Sequence, residues 1–424
     1  MGTWSILVYS RFRWGLIRCL PHLFKKDKGV TMGHYNFDQV IDRHHTKSLK
    51  VDFALRRGRP QDVQPFWVAD MDFPVADPIK EALHKVVDHG IWGYTETEEE
   101  YIGAIAAWMT KQYGWTPKEE WLIKTPGVVF ALAMTVQAFT KPGDGVLLMQ
   151  PVYYPFSEVI EDNGRHIVNV PMIRGQEAYG IDFDAIERRL SKGDIKLFLL
   201  CSPANPVGLV WTVDELTRLG DICNRYGVLV VADEIHADFI WPGHQHHTYP
   251  SLGPAYADNC ILCTAPSKTF NIAGLQISNI FIPNDKIRQQ FKAAVTAAGY
   301  SQANSFGIFA CQAAYQHGEE WLKEVKAYIW DNILFTKAYL EEHLPQLKMY
   351  MPQGTYLVWI DCSALPMSAR DREQWLWHDA KLWLDSGAIF GDDGVDFERI
   401  NVACPRSVLK AGLDSLRNAV NRLK

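Results

Sequence analysis

Three apolar runs in the middle of the sequence end in polar residues, and this pattern constrains the fold more than any other feature. The runs lead into the strings SPANPVG, ADEIH and APSKTFN, which contain Asn205, Asp233 and Lys268. The second of these residues follows the first by 28 positions, and the third follows the second by 35. Each interval is about one strand–helix–strand unit, so the three polar groups are predicted to converge at one edge of a sheet.

From residue 143 to residue 284 the chain alternates continuous apolar runs with helical patterns. The runs are VLLMQP, HIVNVPM, LFLLCSP, VLVVADE, CILCTAP and ISNIFIP. Continuous apolarity indicates strands buried on both faces, which is typical of parallel sheets. The stretch DELTRLGDICNRYG is predicted to be a crossover helix that Asp214 caps and Gly227 ends. The sequence therefore predicts an α/β fold with a mostly parallel sheet.

The character of the sequence changes along its length, and 424 residues are too many for one compact core. Residues 32–75 are rich in proline and charge and are expected to pack on a small C-terminal domain. Residues 76–315 are expected to form the large domain that carries the sheet. Residues 316–424 combine long helical patterns with the strands TYLVWID and ERINVAC, which predicts a small α+β domain.

The first 31 residues are expected to be a non-native or disordered leader. Residues 1–26 contain five basic side chains and no acidic one, a composition that would also fit a transit peptide. Their apolar stretches are too short to cross a bilayer. The string KGVT before Met32 can be encoded by a bacterial ribosome-binding site followed by ATG, so Met32 is the expected natural start.

The residue types at the ends of the three runs suit one kind of cofactor. A lysine just after a buried strand can be desolvated, which lowers its pKa and makes its amine nucleophilic. A carboxylate such as Asp233 could keep a pyridinium nitrogen protonated and its ring an electron sink. Asn205 and His236 could bond a phenolic oxygen on that ring. Each residue alone also suits a turn, a cap or a solvated surface; the ordered set favours pyridoxal 5′-phosphate (PLP).

The ordered motifs resemble those of the class I/II aminotransferase superfamily, the PLP enzymes of fold type I. Within it, ADEIH and PSKTFNIAGLQ, with WVADMDFPV upstream, resemble the MalY/PatB group of cystathionine β-lyase-like C–S lyases. The resemblance covers about residues 32–424. It implies a seven-stranded sheet between helices, PLP as cofactor, and α,β-elimination of L-cystathionine or a related cysteine S-conjugate to a thiol, pyruvate and ammonia.

The resemblance also implies a role for each residue at the sheet edge. Lys268 would hold the cofactor as a Schiff base and move the Cα proton of the substrate. Asp233 would pair with the pyridine nitrogen. Asn205 and His236 would flank the ring oxygen, and Asn205 would also contact the substrate.

Two tyrosines and an arginine complete the catalytic and substrate-binding set that the resemblance implies. Tyr153 is expected to stack on the cofactor ring and Tyr154 to contact the lysine amine, with ordinary packing as the alternative for both. Arg399 is expected to bind the substrate carboxylate as a planar two-pronged donor. Arg406 is its competitor, although it is expected to pair with a surface acid. The backbone N–H of Ala69 is expected near the same carboxylate.

The cofactor phosphate is expected at the start of a helical run, where unpaired backbone N–H groups attract anions. Ser267 would add a hydroxyl donor. The resemblance implies that Tyr94 reaches the phosphate from the partner subunit of a homodimer whose active site is shared. Many aminotransferases carry an arginine eight residues after the lysine, where Gln276 stands here. The expected backbone donors are those of Gly127, Val128 and Val129.

Composition and charge limit the classes of binding partner that the sequence predicts. The net charge of −6, with acids and bases mixed, lacks the basic footprint of a nucleic-acid binder, so the expected partners are a small sulfur amino acid and a second copy of the chain, with no nucleic acid and no membrane. Most of the eight cysteines lie in apolar runs, which favours a reducing compartment, the cytoplasm. Cys260 and Cys263 lack the second pair or histidine cluster of a zinc site, so no metal is expected.

Two other functions stay open at this point. An aminotransferase on the same scaffold would share every cofactor residue, and only the MalY/PatB-like strings and Gln276 argue against it. A regulatory protein that binds a transcription factor through its surface would leave no readable motif. The physiological sulfur substrate is not specified by spacing.

Overall fold

The computed structural model describes residues 34–423, so the expected leader and the expected start at Met32 lie outside the described residues. Within this range there are thirteen α-helices and fifteen β-strands. The helices are α1 (Asp77–His89), α2 (Glu99–Tyr113), α3 (Val128–Phe139), α4 (Pro155–Glu161), α5 (Phe183–Leu190), α6 (Val213–Tyr226), α7 (Pro254–Asp258), α8 (Pro266–Thr269), α9 (Asp285–Ala297), α10 (Ser305–His317), α11 (Glu319–His343), α12 (Ala369–His378) and α13 (Arg406–Asn421). The strands are β1 (Gln64–Pro65), β2 (Leu122–Thr125), β3 (Gly145–Leu148), β4 (His166–Asn169), β5 (Ile173–Arg174), β6 (Tyr179–Gly180), β7 (Ile195–Cys201), β8 (Leu229–Asp233), β9 (Cys260–Thr264), β10 (Ser278–Phe281), β11 (Lys348–Tyr350), β12 (Leu357–Asp361), β13 (Leu382–Trp383), β14 (Asp385–Ser386) and β15 (Phe397–Asn401).

The large sheet has seven strands in the order β2-β10-β9-β8-β7-β3-β4. The strands from β9 to β4 pair in parallel, and β10 runs antiparallel to both of its neighbours. All six apolar runs of the sequence are strands of this sheet, which confirms the predicted α/β fold with a mostly parallel sheet. The seventh strand, β2, was not among the predicted runs.

The crossover helix α6 shows how local sequence fixes an element. The prediction that Asp214 caps it is wrong, because Thr212 is the N-cap and its hydroxyl accepts a bond from the backbone N–H of Glu215. The Glu215 carboxylate bonds back to the Thr212 N–H at 2.8 Å, which completes a capping box. Gly227 ends the helix with φ 64°, as predicted, since this left-handed conformation favours glycine.

The parallel strands bring the three polar strings to one edge of the sheet. Cys201 at the end of β7 pairs with Asp233 at the end of β8. Asp233 in turn pairs with Cys263 near the end of β9. The segments that carry Asn205, Asp233 and Lys268 therefore start at neighbouring points, as their spacing predicts.

A second sheet has four antiparallel strands in the order β11-β12-β15-β14. In its register Arg399 lies opposite Trp359 on one side and Asp385 on the other. The N-terminal segment adds to this part of the molecule, because β1 pairs in parallel with β13 and Trp67 stacks on Trp383 with 4.4 Å between ring centroids. The domain bounds named above stay a prediction.

Residues 66–73, which we call the strap, are held from both sides. Asn401 Nδ2 donates to the carbonyls of Val68 and Asp70, both at 2.6 Å. Asn271 accepts from one strap N–H at 2.9 Å and donates to two strap carbonyls at 3.0 and 2.9 Å. Because Asn401 ends β15 and Asn271 follows α8, the strap joins the small sheet to the lysine-bearing segment.

Candidate active site

A cavity of about 490 Å³ opens where the parallel strands end. Its wall is made from the loops after β7, β8 and β9, the start of α3 and the strap. Ten residues singled out from the sequence contribute to this wall: Ala69, Gly127, Val128, Val129, Tyr153, Asn205, Asp233, His236, Ser267 and Lys268.

The amine of Lys268 lies in this wall and is held by the strap. Its Nζ donates to the carbonyl of Ala69 at 2.8 Å. Burial lowers the pKa of Lys268 to about 8, a shift that the negative charge of Asp70 opposes and the positive charge of Arg399 reinforces. A lysine with this pKa carries a useful fraction of neutral amine near pH 7, so it can act as a nucleophile and as a base.

Asp233 supplies a buried carboxyl group opposite the lysine segment. It is 7% exposed, and its Oδ1 accepts the N–H of Ile235 at 3.2 Å. Burial raises the pKa of Asp233 to about 7, although that hydrogen bond and the charge of Lys268 oppose the rise. A protonated pyridine nitrogen beside this group would stabilise its charged form, as the sequence prediction requires.

His236 carries a buried polar atom that suits a ligand. Its Nδ1 has no hydrogen-bond partner among residues 34–423, an arrangement that costs free energy unless something fills it. Burial, together with the charges of Lys268 and Arg399, lowers the pKa of His236 well below its usual value. The imidazole is therefore neutral near pH 7 and can bond an oxygen of the cofactor ring.

Arg399 lies beside the cavity on β15 and is 2% exposed. Its Nη1 donates to Asn205 Oδ1 at 2.8 Å, and its Nη2 donates to the Trp67 carbonyl at 3.1 Å and to the carboxylate of Asp385. Asn205 thus links Arg399 to the wall of the cavity. The substrate contacts expected of Arg399 and Asn205 stay predictions.

Arg406, the alternative carboxylate ligand, lies elsewhere. Its Nε donates to Asn332 Oδ1 at 2.6 Å, and its guanidinium covers the ring of Phe335 at 4.5 Å. The expectation that it pairs with a surface acid is wrong, since no carboxylate of the described chain pairs with it. Arg399 is the arginine that the fold brings to the cavity.

The anion site expected at the start of α3 stays a prediction, and one of its three expected backbone donors, the N–H of Gly127, is already engaged. Gly127 is the N-cap with φ 129°, a backbone conformation that favours glycine, and its N–H donates to Ser278 Oγ at 3.1 Å. The N–H groups of Val128 and Val129 have no acceptor within the helix and line the cavity. Together with Ser267 they form a neutral donor set that fits a phosphate.

Besides Arg399, two predicted site residues do not line the cavity. Tyr94 is 95% exposed and lines an adjoining cavity of about 510 Å³, which shares Pro126 and Gln276 with the first cavity. Tyr154 packs beside Tyr153, with 5.2 Å between ring centroids. The contact of Tyr154 with the lysine amine and the contact of Tyr94 with a phosphate stay predictions.

The structure adds residues that the sequence analysis missed. Tyr356 is fully buried, and its hydroxyl donates at 3.0 Å to the Ala69 carbonyl that also binds the lysine. Asp385 binds Arg399 from the neighbouring strand. Neither residue lies in a recognisable motif, because both are brought to the site by the small sheet. The predicted role of the Ala69 N–H stays untested, and its carbonyl is the group that the structure engages.

The C-x-x-C string and the histidines point to no other chemistry. Cys260 and Cys263 lie three positions apart on β9, so their side chains enter different hydrophobic clusters on opposite faces of the sheet. His246 bonds Glu234 at 2.9 Å in a buried pair. Across residues 34–423 no group of three or more metal-ligating side chains is found, and no helix has the length and apolarity to cross a membrane.

Comparison with known proteins gives one consistent result. The family described as "Aminotransferase class I and II" matches residues 67–416. Cystathionine beta-lyase PatB of Bacillus subtilis (strain 168) is 42% identical over 386 residues, which are 91% of this chain and 100% of that protein. Protein MalY of Escherichia coli (strain K12) is 34% identical over 392 residues, 92% of this chain and 100% of that protein.

A solved structure extends the likeness to three dimensions. The crystal structure of cystalysin from Treponema denticola, which contains a pyridoxal 5′-phosphate cofactor, superposes with a TM-score of 0.89 at 39% identity. The match covers 92% of this chain and 100% of that one. The likeness therefore extends over the segments that carry both sheets.

Proposed function

The chain belongs to the aminotransferase class I and II family, and from this premise we propose that it is a PLP-dependent carbon–sulfur β-lyase. It cleaves the Cβ–S bond of L-cystathionine or a related cysteine S-conjugate to a thiol and aminoacrylate, and water hydrolyses the released aminoacrylate to pyruvate and ammonia. Relatives that carry the name cystathionine beta-lyase support lyase chemistry over amino transfer.

The convergence of Lys268, Asp233 and Arg399 on one cavity carries this proposal. A nucleophilic amine, a buried acid and a carboxylate anchor are the three groups that an enzyme acting at Cα of an amino acid needs from the protein. The first two line the cavity, and the third reaches its wall through Asn205.

The residues present fit PLP, which is the cofactor of this family. Asp233 would hold the pyridine nitrogen, and Asn205 and the unpartnered Nδ1 of His236 would bond the ring oxygen. Tyr153 would cover a ring face, and the start of α3 with Ser267 would hold the phosphate. When bound, PLP supplies an electron sink that makes the Cα–H bond of the substrate acidic.

The protein's own groups then direct the elimination. Arg399 binds the α-carboxylate and fixes the orientation of the substrate, so that Cα faces Lys268. The neutral amine of Lys268 accepts the Cα proton and becomes an ammonium, which the Ala69 carbonyl can bind at the distance seen here, 2.8 Å. The thiolate leaves from Cβ with the bonding electron pair and takes up a proton.

We also infer a homodimer with shared active sites, in which Tyr94 of the partner subunit completes the phosphate site. Support comes from an exposed surface that carries large apolar side chains: Ile91 at 74%, Trp92 at 61% and Tyr94 at 95% exposure. Such a patch marks an interaction site on an otherwise polar surface. Seven cysteines of the described chain are buried and unpaired, which supports a cytoplasmic enzyme.

The lyase proposal is tested by product formation without a co-substrate. Purified holoenzyme is incubated with L-cystathionine or S-methyl-L-cysteine, and pyruvate is measured with no keto acid added. We expect stoichiometric pyruvate and thiol. Turnover that requires a keto acid would instead identify an aminotransferase.

The Lys268→Ala variant is the matched control for that assay. It should lose pyruvate formation and the yellow absorbance of the covalently bound cofactor together, because both depend on the same amine. A variant that keeps turnover would contradict the assigned role of Lys268.

A further inference from the structure

Arg399, the substrate-binding arginine of the proposed function, is already paired with a carboxylate of the protein itself. A guanidinium has five N–H donors, and in Arg399 three of them are engaged. One Nη1 hydrogen bonds Asn205, and Nη2 donates to both Trp67 and Asp385. The Nε hydrogen has no partner although the atom is buried.

The remaining donors cannot form a two-pronged bond. In a two-pronged pair, the two carboxylate oxygens accept hydrogen bonds from two adjacent guanidinium nitrogens, which are either Nη1 with Nη2 or Nε with Nη2. Both edges include Nη2 of Arg399, where the Trp67 carbonyl and the Asp385 carboxylate already lie. A substrate carboxylate must therefore replace one of these two acceptors.

Of these two acceptors, Asp385 is the one that a substrate carboxylate can displace. The Trp67 carbonyl belongs to the strap, whose next carbonyl is held by Asn401 at 2.6 Å. Asp385 is a side chain, and it repels an incoming carboxylate of the same sign. Asp385 is only 6% exposed, and this burial disfavours its charged form.

We propose that Asp385 is a specificity-determining residue, an internal competitor that occupies the carboxylate edge of Arg399 until a substrate displaces it. The proposal rests on the proposed function, since it takes Arg399 as the substrate's carboxylate ligand. Every ligand then gains less from its α-carboxylate, so Asp385 reduces the preference of the site for an amino acid over the amine that lacks the carboxylate.

A purely positioning role for Asp385 is the competing explanation. Arg399 keeps three other contacts if the charge of Asp385 is removed: Asn205 at 2.8 Å, the Trp67 carbonyl at 3.1 Å and the ring of Phe390 at 4.7 Å. These contacts should keep the guanidinium in place. The two explanations thus predict opposite changes in carboxylate affinity.

The test compares two ligands on the holoenzymes of the wild type, Asp385→Asn and Asp385→Glu. L-alanine has an α-carboxylate and no leaving group, and ethylamine is the same amine without the carboxylate. Dissociation constants come from the visible absorbance of the bound cofactor, which does not depend on turnover. We expect Asp385→Asn to bind L-alanine at least about tenfold more tightly, because a like charge is gone, with ethylamine affinity unchanged. Asp385→Glu should resemble the wild type.

Asp392→Asn is the matched control, since Asp392 is exposed on the same stretch of chain and should leave both constants unchanged. Weaker L-alanine binding by Asp385→Asn would show that the carboxylate only positions Arg399, and equal changes for both ligands would show a general effect on the site. Either result would overturn the proposal. If the wild type bound both ligands equally, the role of Arg399 itself would fail first. Circular dichroism and cofactor content verify that each variant is folded.

Discussion

At the scale of single residues, the site is defined by two ionisable groups whose pKa values burial moves in opposite directions. The pKa of Lys268 is lowered to about 8, and that of Asp233 is raised to about 7. Near neutral pH both groups thus exchange protons readily, which is the property that acid–base chemistry needs. The cost of burying the Asp233 carboxylate is offset when a cationic heterocycle lies beside it.

The lowered pKa of Lys268 has a measurable consequence for cofactor attachment. Covalent attachment needs the neutral amine, so its rate should rise about tenfold per pH unit below pH 8 and level off above it. The measurement is stopped-flow absorbance after mixing cofactor-free protein with PLP between pH 6 and 10. Free Nα-acetyl-lysine is the reference, whose rate should keep rising toward pH 10. A protein rate that also climbs to pH 10 would show that burial does not tune this amine.

Much of the residue set could be predicted because it lies directly after strands. Asn205, Asp233 and Lys268 follow buried runs, and the spacing alone placed them at one edge. Asp385 could not be predicted, since its contact with Arg399 arises from cross-strand pairing between residues 14 positions apart. Tyr356 directly precedes the apolar strand β12, where nothing in the sequence separates a site residue from a core residue.

At the scale of elements, the strap is the part that connects chemistry to packing. Its carbonyls bind Lys268 through Ala69 and Arg399 through Trp67. It has little regular structure of its own, so Asn401 and Asn271 determine its position. An amide side chain suits this task because it can donate and accept in one plane.

Removing the side chain of one of these two asparagines should weaken the attachment of the strap. Asn401→Ala leaves the carbonyls of Val68 and Asp70 without their donor, which we expect to cost about 2–4 kcal/mol in the free energy of unfolding. The KM for S-methyl-L-cysteine should rise about tenfold, because the strap also orients Arg399. Urea unfolding and steady-state kinetics measure the two effects.

The control for this variant is Asn418→Ala, since Asn418 is exposed on α13 and should change neither quantity. An Asn401→Ala enzyme with wild-type KM would show that the strap holds its position without that residue.

Strands were predictable where the sequence has a continuous apolar run. The six such runs are strands, whereas β2 is mostly half-buried and includes a lysine. At α6 the prediction named Asp214, two positions after the actual cap, Thr212. The glutamate three positions after Thr212 is the local signal that distinguishes them, because it completes a capping box.

At the scale of the whole molecule, the exposed patch around Trp92 and Tyr94 bears on assembly. We expect the homodimer to place one subunit's Tyr94 in the site of the other. If so, inactive variants should complement each other. Co-expressed Lys268→Ala and Tyr94→Ala chains should recover about a quarter of wild-type sites in the randomly paired mixture and about half in the purified heterodimer, because each mixed dimer has one intact site. Lyase activity of the mixture and of the doubly tagged, purified heterodimer measures this.

Activity of the mixture that only equals the mean of the two separate variants would contradict a shared site. Equilibrium sedimentation of the wild type provides the independent check, since a monomer at assay concentration would exclude the arrangement. Only the family resemblance predicted that this surface takes part in assembly. The exposure of an aromatic residue cannot be inferred from its neighbours in the sequence.

The strap's contacts with the site have a consequence for how this enzyme tolerates mutation. At Trp67 and Ala69 the acceptors are main-chain carbonyls, and every amino acid supplies one. Substitution libraries across residues 67–70 should therefore retain these two bonds wherever the new side chain fits. A one-residue insertion or deletion is different, since it would move both acceptors by about 3.3 Å, the rise of one extended residue. Here chain length is under tighter constraint than chemical identity.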